Sequence, residues 1–263
     1  MLRLNFSYET TISFSKDIDN HVFLLRCFPL NIPEQLIEDM QHTTYPLALG
    51  GQYSIDSFGN TIYTGRIDSR HDSFSYTISG SVLRDDTAKV SEILMPCYKY
   101  PSELTYGSYK MGLCLEKIKP HGTNLEKAHQ IADFINKYMT YESGSTSVYT
   151  TAKDAFDNKK GVCQDFAHVM IAMCKMIGIP SRYVCGLPVG DGQTHAWVEI
   201  WQDGYWHGID PTRGCDADER YIKLCVGRDY NDCPVERGIF NGDAIQTQDI
   251  YMKVSPEKEV MLA

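Results

Sequence analysis

The chain has 263 residues, 43% of them hydrophobic and 22% charged, which is the composition of a folded globular protein and excludes a largely disordered one. Its formal net charge of −9 disfavours a nucleic acid, an anionic membrane surface or an acidic substrate as partner. The sequence shows neither the apolar core of a signal peptide nor an apolar run long enough to cross a membrane, so we expect a cytoplasmic protein.

The nine cysteines are odd in number, widely spaced and without any C-x-x-C pair. This pattern disfavours a disulfide framework and a structural zinc site. A metal site built from Cys215, Cys225, Cys233 and His207 has no recognisable ligand spacing, so we predict neither a metal nor a cofactor. Most of the thiols are expected to be buried and unreactive.

Residues 1 to about 85 alternate polar and apolar side chains and are rich in Thr, Tyr, Ile, Phe and Val, as half-buried β-strands are. Turn signals separate the segments at residues 17–20 and 58–60. The predicted strands are NFSYETTISFS, HVFLLRCFPL, GNTIYTGRI and DSFSYTISGSVL. We therefore predict an antiparallel β-rich domain at the N-terminus.

Residues 86–122 have no clear periodicity and contain Pro96, Pro101 and Pro120. We expect the linker and the edge of a second domain there. The predicted organisation is an N-terminal β-rich domain over residues 1–100 and a second domain over residues 101–263.

Helical periodicity begins at residue 123. TNLEKAHQIADFINKYM carries one apolar stripe, with Thr123 or Asn124 available as the N-cap. A shorter helix is predicted to start at Thr151 and to end near Gly161. A third helix is predicted over residues 163–177, with Gly178 just past its end.

Strands follow these helices. The predicted segments are SRYVCGL, HAWVEIW, YWHGID, YIKLCVGR and DIYMKVS. Because the helices precede the sheet in the second half of the chain, the predicted class is α+β.

Cys163 lies in the first turn of the third predicted helix. Free N–H groups and the helix dipole favour negative charge there, so the thiolate is stabilised, and the thiolate is the nucleophilic form. The same N–H groups face the carbonyl oxygen that the sulfur would attack, which makes one half of an oxyanion hole. The position predicts a nucleophile.

The segment HAWVEIWQDGYWHGIDPT predicts a hairpin that turns at Asp203-Gly204, the dipeptide typical of a two-residue type I′ loop. This register pairs Trp201 with Trp206. Because side chains alternate faces along a strand, His195 and Asp210 become diagonal neighbours, close enough for a hydrogen bond. His207 points to the other face.

The order Cys163, His195, Asp210 supplies a nucleophile, a base and a residue that orients the base. Each has a structural alternative: a buried thiol, a sheet histidine and an aspartate that caps the following turn. Gln164 and Asp165 fit better as residues that stabilise the helix start. The glycine-rich loop LPVGDGQT precedes no helix and does not predict a phosphate site, but it could flex to admit a substrate.

GVCQDFAHVMIAMCKMIGIPSRYVCG, THAWVEIW, WHGIDPTRG and VGRDYNDCPVERG closely resemble the transglutaminase-like proteins of bacteria, which are often described as candidate cysteine proteases. The resemblance covers most of residues 125–240. The N-terminal stretch, including DSFGN, resembles the β-domain that accompanies this core in such proteins.

The resemblance implies a papain-like, transglutaminase-like core with a catalytic Cys163-His195-Asp210 triad, no cofactor and a peptide or protein substrate. His207 and Gly208 depart from the apolar residues expected before Asp210. The resemblance does not locate the second oxyanion donor. Gln164, Tyr141 and Tyr149 are the alternatives.

We therefore expect acyl transfer at a peptide or carboxamide carbonyl through a thioester on Cys163. Hydrolysis, as by a protease or amidase, is the favoured outcome. The alternatives are transfer to an amine, as by a transglutaminase, and a non-catalytic module that binds a peptide. The sequence gives no prediction of the oligomeric state.

Overall fold

The computed structural model describes residues 1–257. The helices of this part of the chain are α1 (Tyr109–Ile118), α2 (Asn124–Tyr138), α3 (Ala152–Asn158) and α4 (Cys163–Met176). Its strands are β1 (Leu2–Leu25), β2 (Gln35–Tyr45), β3 (Leu49–Ile55), β4 (Thr61–Ile67), β5 (His71–Arg84), β6 (Thr140–Tyr141), β7 (Lys160–Gly161), β8 (Ser181–Pro188), β9 (Gly190–Gly192), β10 (His195–Gln202), β11 (Tyr205–Asp210), β12 (Cys215–Asp216), β13 (Tyr221–Gly227), β14 (Glu236–Asn241) and β15 (Gln246–Pro256). The predicted α+β class is confirmed.

Strand β1 is the axis of the N-terminal sheet. It runs for 24 residues, and alternate side chains from Leu4 to Phe14 are buried, as expected for a strand with one face in the core. The turn predicted at residues 17–20 is wrong. The register shifts there on both sides of β1 and Asn20 has a φ of 49°, so the extra residues form an irregular bulge and the strand continues.

The first sheet has the order β2-β5-β1-β15-β9, and β4, β3 and β14 join at the far half of β1. All of these pairings are antiparallel, as predicted. The turn at residues 58–60 is also confirmed, with a φ of 86° at Gly59. Strands β2 and β3 were not predicted, because most of their side chains are exposed and give no alternation of buried positions.

The end of the chain returns to this first sheet. Strand β15 pairs with β1 from Leu4↔Pro256 to Phe14↔Gln246, and β14 pairs with the other half of β1. The division at residue 100 stays a prediction. What the sequence did not indicate is that residues 236–256 lie in the same sheet as residues 2–25.

The second sheet has the order β12-β11-β10-β8-β13 and packs against the helices. Helix α4 is buried along nearly its whole length, between α2, α3 and one face of β10. Its predicted end is confirmed, because Gly178 follows it with a φ of 78°. A central buried helix fixes the position of its first residue, which faces a cavity described below.

Helix α2 begins as predicted. The Thr123 hydroxyl accepts a hydrogen bond from the N–H of Glu126, and the Glu126 carboxylate accepts one from the N–H of Thr123, a reciprocal cap. The expectation that residues 86–122 are irregular holds only in part. Three short 3₁₀ turns occupy residues 86–105, but Tyr109–Ile118 form α1, capped by Ser108.

The two sheets share one core. Leu187, Ile222 and Leu224 of the second sheet pack among the buried aromatic and aliphatic residues of the first. No helix within residues 1–257 has the length and apolarity needed to cross a membrane.

A buried ion chain also joins the sheets. Lys223 Nζ lies 2.6 Å from a Glu199 oxygen and 2.9 Å from a Glu34 oxygen, and Arg182 Nε lies 2.6 Å from the other oxygen of Glu199. The first sheet is therefore anchored beside the strands that carry the site.

Candidate active site

Cys163 is the first residue of α4 and is partly exposed. The preceding Val162 is extended, with φ −106° and ψ −179°, so the chain enters the helix abruptly at the thiol. The first N–H groups of an α-helix have no partner within it, and the positive end of the helix dipole favours a thiolate. The predicted placement at a helix start is confirmed.

Asp165 holds this helix start in place. Its carboxylate accepts a hydrogen bond from the N–H of Val162 at 2.7 Å and one from the Thr146 hydroxyl at 2.7 Å. Burial raises the pKa of Asp165, although the two hydrogen bonds partly offset that effect. The prediction that Asp165 stabilises the helix is confirmed.

The β10–β11 hairpin has the predicted register. Gln202 pairs with Tyr205 and Trp201 with Trp206, and the ladder continues to Val198↔Ile209. Asp203 and Gly204 have φ angles of 52° and 91°, as a type I′ turn requires.

The register brings His195 and Asp210 together. Nε2 of His195 lies 2.6 Å from Oδ2 of Asp210 and donates to it. His207, which the sequence placed on the opposite face, pairs with Ile200 in the middle of the hairpin and takes no part in this contact.

The Asp210 carboxylate is buried and fully hydrogen-bonded. Oδ2 also accepts from the Tyr221 hydroxyl at 3.1 Å, while Oδ1 accepts from the N–H groups of Thr212 and Arg213 at 3.0 and 3.1 Å. These bonds fix the carboxylate toward His195. The sequence alternative, in which Asp210 caps the following turn, is therefore true at the same time, because one oxygen caps the turn and the other holds the imidazole.

The surroundings of His195 favour the protonated form of its imidazole. Burial alone would lower its pKa, but hydrogen bonds to Asp210 and Cys163 and attraction to their charges outweigh burial and raise the pKa of His195 to about 9. Imidazolium and thiolate would each stabilise the other. The arrangement places a protonatable imidazole beside the Cys163 sulfur, which is the pairing that cysteine nucleophiles use.

Cys163 and His195 lie where two cavities meet. One, of about 170 Å³, extends toward the first sheet, and the other, of about 450 Å³, extends toward Tyr141 and Arg213. Val162 and Thr194 line both cavities together with the Cys-His pair. A substrate can therefore reach the thiol from two sides.

The three candidates for a second oxyanion donor lie at different places. The Gln164 amide lines the smaller cavity but donates to the carbonyl of Val148 at 3.2 Å. Tyr141 lines the larger cavity beside Cys163, and Tyr149 lines a third cavity that does not include the thiol. Tyr141 is thus the candidate that shares a cavity with Cys163 and has no described side-chain bond.

The other thiols differ from Cys163 in their surroundings. Burial raises the pKa of Cys174 to about 12 and raises the pKa values of Cys27 and Cys225 well above the ordinary range. All nine cysteines are free within the described chain. Residues 1–257 contain no group of three or more His, Cys, Asp or Glu side chains placed to hold a metal ion.

Two parts of the site were missed by sequence reasoning. Tyr221 on β13 donates to Asp210, and Tyr8, Glu236 and Gln248 line the smaller cavity from the first sheet. A tyrosine within a predicted strand carries no signal of such a contact. The cavity wall depends on pairing between the two ends of the described chain, which local patterns do not encode.

The family model described as the transglutaminase-like superfamily matches residues 113–211, and the model of the bacterial transglutaminase-like N-terminal region matches residues 4–83. Residues 113–211 thus match a transglutaminase-like core, and residues 4–83 match the N-terminal region that bacterial transglutaminase-like proteins carry. The resemblance drawn from the sequence, including the N-terminal β-domain, is confirmed.

A solved structure from Cytophaga hutchinsonii, described as a "Putative Cysteine Protease", is similar to this transglutaminase-like chain with a TM-score of 0.82. Its sequence identity is 22%, and the match covers 98% of this chain and 91% of that chain. At that identity the likeness concerns the fold, and it confirms the predicted transglutaminase-like fold class over both sheets.

Curated relatives match parts of the transglutaminase-like chain. An uncharacterised protein of Mycobacterium leprae is 36% identical over 127 residues, which are 44% of this chain and 45% of that protein. A protein-glutamine gamma-glutamyltransferase of Pseudomonas aeruginosa is 34% identical over 70 residues, 22% of this chain and 10% of that protein. The chain thus spans less than half the length of these relatives.

Proposed function

We propose that the protein is a cysteine enzyme that breaks an amide or peptide bond through a thioester on Cys163, with His195 as general acid and base and Asp210 as the residue that orients His195. The observation that carries the proposal is the 2.6 Å bond from His195 to a buried, fully hydrogen-bonded Asp210, next to a thiol at a helix N-terminus.

In the first step the Cys163 sulfur attacks the carbonyl carbon. A C–S bond forms, and the carbonyl electrons move to the oxygen, which faces the free N–H groups at the start of α4. The tetrahedral intermediate collapses by breaking its C–N bond, and His195 gives its proton to the departing nitrogen. A thioester remains on Cys163, and an amine or ammonia leaves.

In the second step a nucleophile attacks the thioester. His195 takes the proton of the nucleophile, the C–S bond breaks and the thiolate of Cys163 is restored. Water as nucleophile gives a carboxylic acid, which makes the enzyme a protease, amidase or deamidase. An amine gives a new amide, which makes it a transglutaminase.

We favour water and a peptide or protein substrate. The full-length structural neighbour is described as a "Putative Cysteine Protease", whereas the glutamyltransferase relative matches only 22% of this chain. No cofactor enters any step. The cytoplasmic location, the absence of a nucleic-acid or membrane partner and the two-domain division at residue 100 stay predictions.

The choice between water and amine is tested with a glutamine peptide and a labelled primary amine. Ammonia leaves in the first step on either route, so the free acid is compared with the labelled amide, and we expect the free acid to form faster. Labelled amide that forms faster than free acid would replace the hydrolase by a transferase. The variant Cys163→Ala is the negative control and should form neither the free acid nor the labelled amide.

The alternative from another class is a module that binds a peptide without turnover. It is separated from the enzyme by limiting iodoacetamide near neutral pH, followed by mapping of the label. Fast modification at Cys163 that is lost in His195→Ala supports the enzyme. Equal, slow modification at all nine thiols supports the module. The exposed Cys215 gives the internal reference rate.

A further inference from the structure

The cavity of about 170 Å³ beside Cys163 is built by both halves of the chain. The second half supplies the Cys-His pair, and the first sheet supplies Tyr8, Glu236 and Gln248. Glu236 and Gln248 also line the adjoining cavity of about 900 Å³. The small cavity is therefore a compartment next to the reactive sulfur, open toward a larger groove.

Glu236 is the only carboxylic acid among the residues that line this small cavity within the described chain. It is partly buried and forms no ion pair with any residue of the range 1–257. Its described side-chain partner is the amide of Gln248, 3.5 Å away. Burial without a cation raises the pKa of Glu236 to about 7.

Tyr8 gives a second, independent sign of a missing ligand. Its side chain has no solvent exposure, it lines the same cavity, and its hydroxyl forms no hydrogen bond of regular geometry within residues 1–257, although the hydroxyls of Thr10 and Tyr76 lie near it. A buried hydroxyl without a partner costs free energy. A ligand that donates hydrogen bonds in this cavity would satisfy the Tyr8 oxygen and the Glu236 carboxylate together.

We propose that this cavity is a specificity subsite for a primary ammonium group, with Glu236 as the charged recognition residue and Tyr8 as the second acceptor. The inference rests on the proposed function, since it assigns the group that a substrate places next to the Cys163 sulfur. An ammonium group has three N–H donors and no acceptor, and it matches one carboxylate and one hydroxyl oxygen. An anion would meet the Glu236 charge, and an apolar group would leave both oxygens unsatisfied.

The proposal also accounts for the state of Glu236. A buried carboxyl without a cation has a raised pKa, and a cation within about 4 to 6 Å favours its ionised form. Binding of an ammonium group would therefore make the carboxylate and its partner stabilise each other. Two sources present this group, the free amino terminus of a peptide and a lysine-type side chain.

The test uses disulfide-forming reagents of matched size that need no substrate. The 2-aminoethyl and propyl methanethiosulfonates both react with a thiolate: a new S–S bond forms to Cys163, the S–S bond of the reagent breaks, and methanesulfinate leaves. The measured quantity is the ratio of the two rates at Cys163, followed by mass spectrometry. In Glu236→Gln we expect this ratio to fall about tenfold, as expected for loss of a charge-assisted hydrogen bond, while the propyl rate stays within about twofold.

Asp191→Asn is the matched control, because Asp191 is a carboxylate that lines the other cavity beside Cys163. Its rate ratio should equal that of the wild type. An equal ratio in wild type and Glu236→Gln, or an equal fall in Asp191→Asn, would overturn the subsite. Loss of the propyl rate in His195→Ala concerns the nucleophile alone, so failure of the proposed function is seen separately.

Two further measurements define the recognised group. The trimethylammonium reagent has the charge but no N–H, so its enhancement over the propyl reagent should be clearly smaller. An equal enhancement would reduce the effect to general attraction of cations and would overturn hydrogen-bonded recognition. In Tyr8→Phe the aminoethyl rate should fall several-fold while the trimethylammonium rate stays the same.

Protection of Cys163 against the propyl reagent separates the two sources. Alaninamide presents an ammonium group next to a carboxamide, as a peptide amino terminus does, and pentylamine presents one on an alkyl chain, as lysine does. Protection by alaninamide alone identifies a peptide amino terminus, and protection by pentylamine alone identifies a lysine-type side chain. Protection by neither, at matched ionic strength, would overturn the subsite.

Discussion

Tyr221 donates its phenolic hydrogen to Oδ2 of Asp210 at 3.1 Å, the same oxygen that holds His195. Burial and the neighbouring Asp210 charge raise the pKa of Tyr221 far above its usual range, so the hydroxyl stays protonated and remains a donor. The carboxylate that orients His195 is thus itself oriented by Tyr221, the first residue of β13.

Removing that donor should weaken the site without dismantling it. In Tyr221→Phe we expect the rate of Cys163 alkylation near neutral pH to fall about three- to tenfold, because Asp210 loses one of its hydrogen bonds and stabilises the His195 imidazolium less. Iodoacetamide kinetics measure the change. Tyr205→Phe, at an exposed position of the β10–β11 hairpin that carries Asp210, is the control and should leave the rate unchanged.

The pKa of His195, raised to about 9, should set the basic limit of the proposed reaction. Protonation of the leaving nitrogen needs the imidazolium, so turnover should fall as the pH rises through about 9. Protonation of His195 also stabilises the folded state, because its pKa is higher there than the unfolded value of about 6.5. This contribution to the free energy of unfolding is complete below about pH 6.5 and disappears as the pH rises through about 9. A rate profile from pH 6 to 10 and urea unfolding across the same range check both statements.

In Asp210→Asn, the fall in turnover at high pH should begin at a lower pH than in the wild type. The asparagine cannot supply the negative charge that holds the proton on His195, and an opposite charge at this distance contributes about one to three pH units. We also expect turnover to fall by about 10²- to 10⁴-fold, since a neutral amide neither stabilises the imidazolium nor fixes the tautomer of the ring. If the basic limb of the rate profile stays near pH 9, Asp210 is not the group that holds the proton on His195.

The buried ion chain should support stability far more than a surface ion pair. Lys223→Met leaves Glu34 without its cation and leaves Glu199 with Arg182 alone, and breaking a buried pair costs about 3 to 5 kcal/mol. Lys110→Met is the control, because its 2.8 Å bridge to Asp157 is exposed and screened by water, so its loss should change the stability far less. Equal losses in urea unfolding would contradict the assignment.

Glu199 also links this chain to acid stability. Burial would raise its pKa, but Arg182 and Lys223 outweigh burial and lower the pKa of Glu199 to about 2. A depressed pKa contributes stability that is present above about 4.5 and is lost as the pH falls through about 2. This acid-side contribution should be much reduced in Lys223→Met.

Gly186 is required by close packing beside the site. It pairs with His195 on one side, and a Cβ at this position would collide with the carbonyl oxygen of Ile222 and the ring of Trp197. In Gly186→Ala we expect a loss of about 1 to 3 kcal/mol in stability and a slower reaction of Cys163, because His195 moves with its strand. Gly112→Ala, in a helix with room for a methyl group, should gain up to about 1 kcal/mol.

The sequence predicted the parts of the site that depend on local geometry. A two-residue Asp-Gly turn sets the register of β10 against β11. Because side chains alternate faces along each strand, this register places His195 diagonal to Asp210 on one face. The helix start at Cys163 follows from the apolar periodicity up to residue 177 and the stop at Gly178. Both signals lie within about a dozen residues of the feature that they specify.

What the sequence did not predict depends on distant partners. Tyr8 pairs with Met252, more than two hundred positions later, and this pairing forms the cavity wall with Glu236. The buried ion pair of Lys223 with Glu34 likewise joins residues that are far apart in the sequence. Helix α1 was missed because it is short and lies between Pro101 and Pro120, whereas buried Met111 and Leu115 pack it onto the helical core.

The adjacency of β1 and β15 has a consequence for the order in which the enzyme matures during synthesis. The ribosome produces Cys163, His195 and Asp210 before residues 246–256, so a nascent chain carries the thiol before one wall of its substrate compartment exists. Pairing of such distant strands is slow compared with helix formation. The compartment beside Cys163 would therefore be complete only after residues 246–256 have been synthesised and have paired with β1.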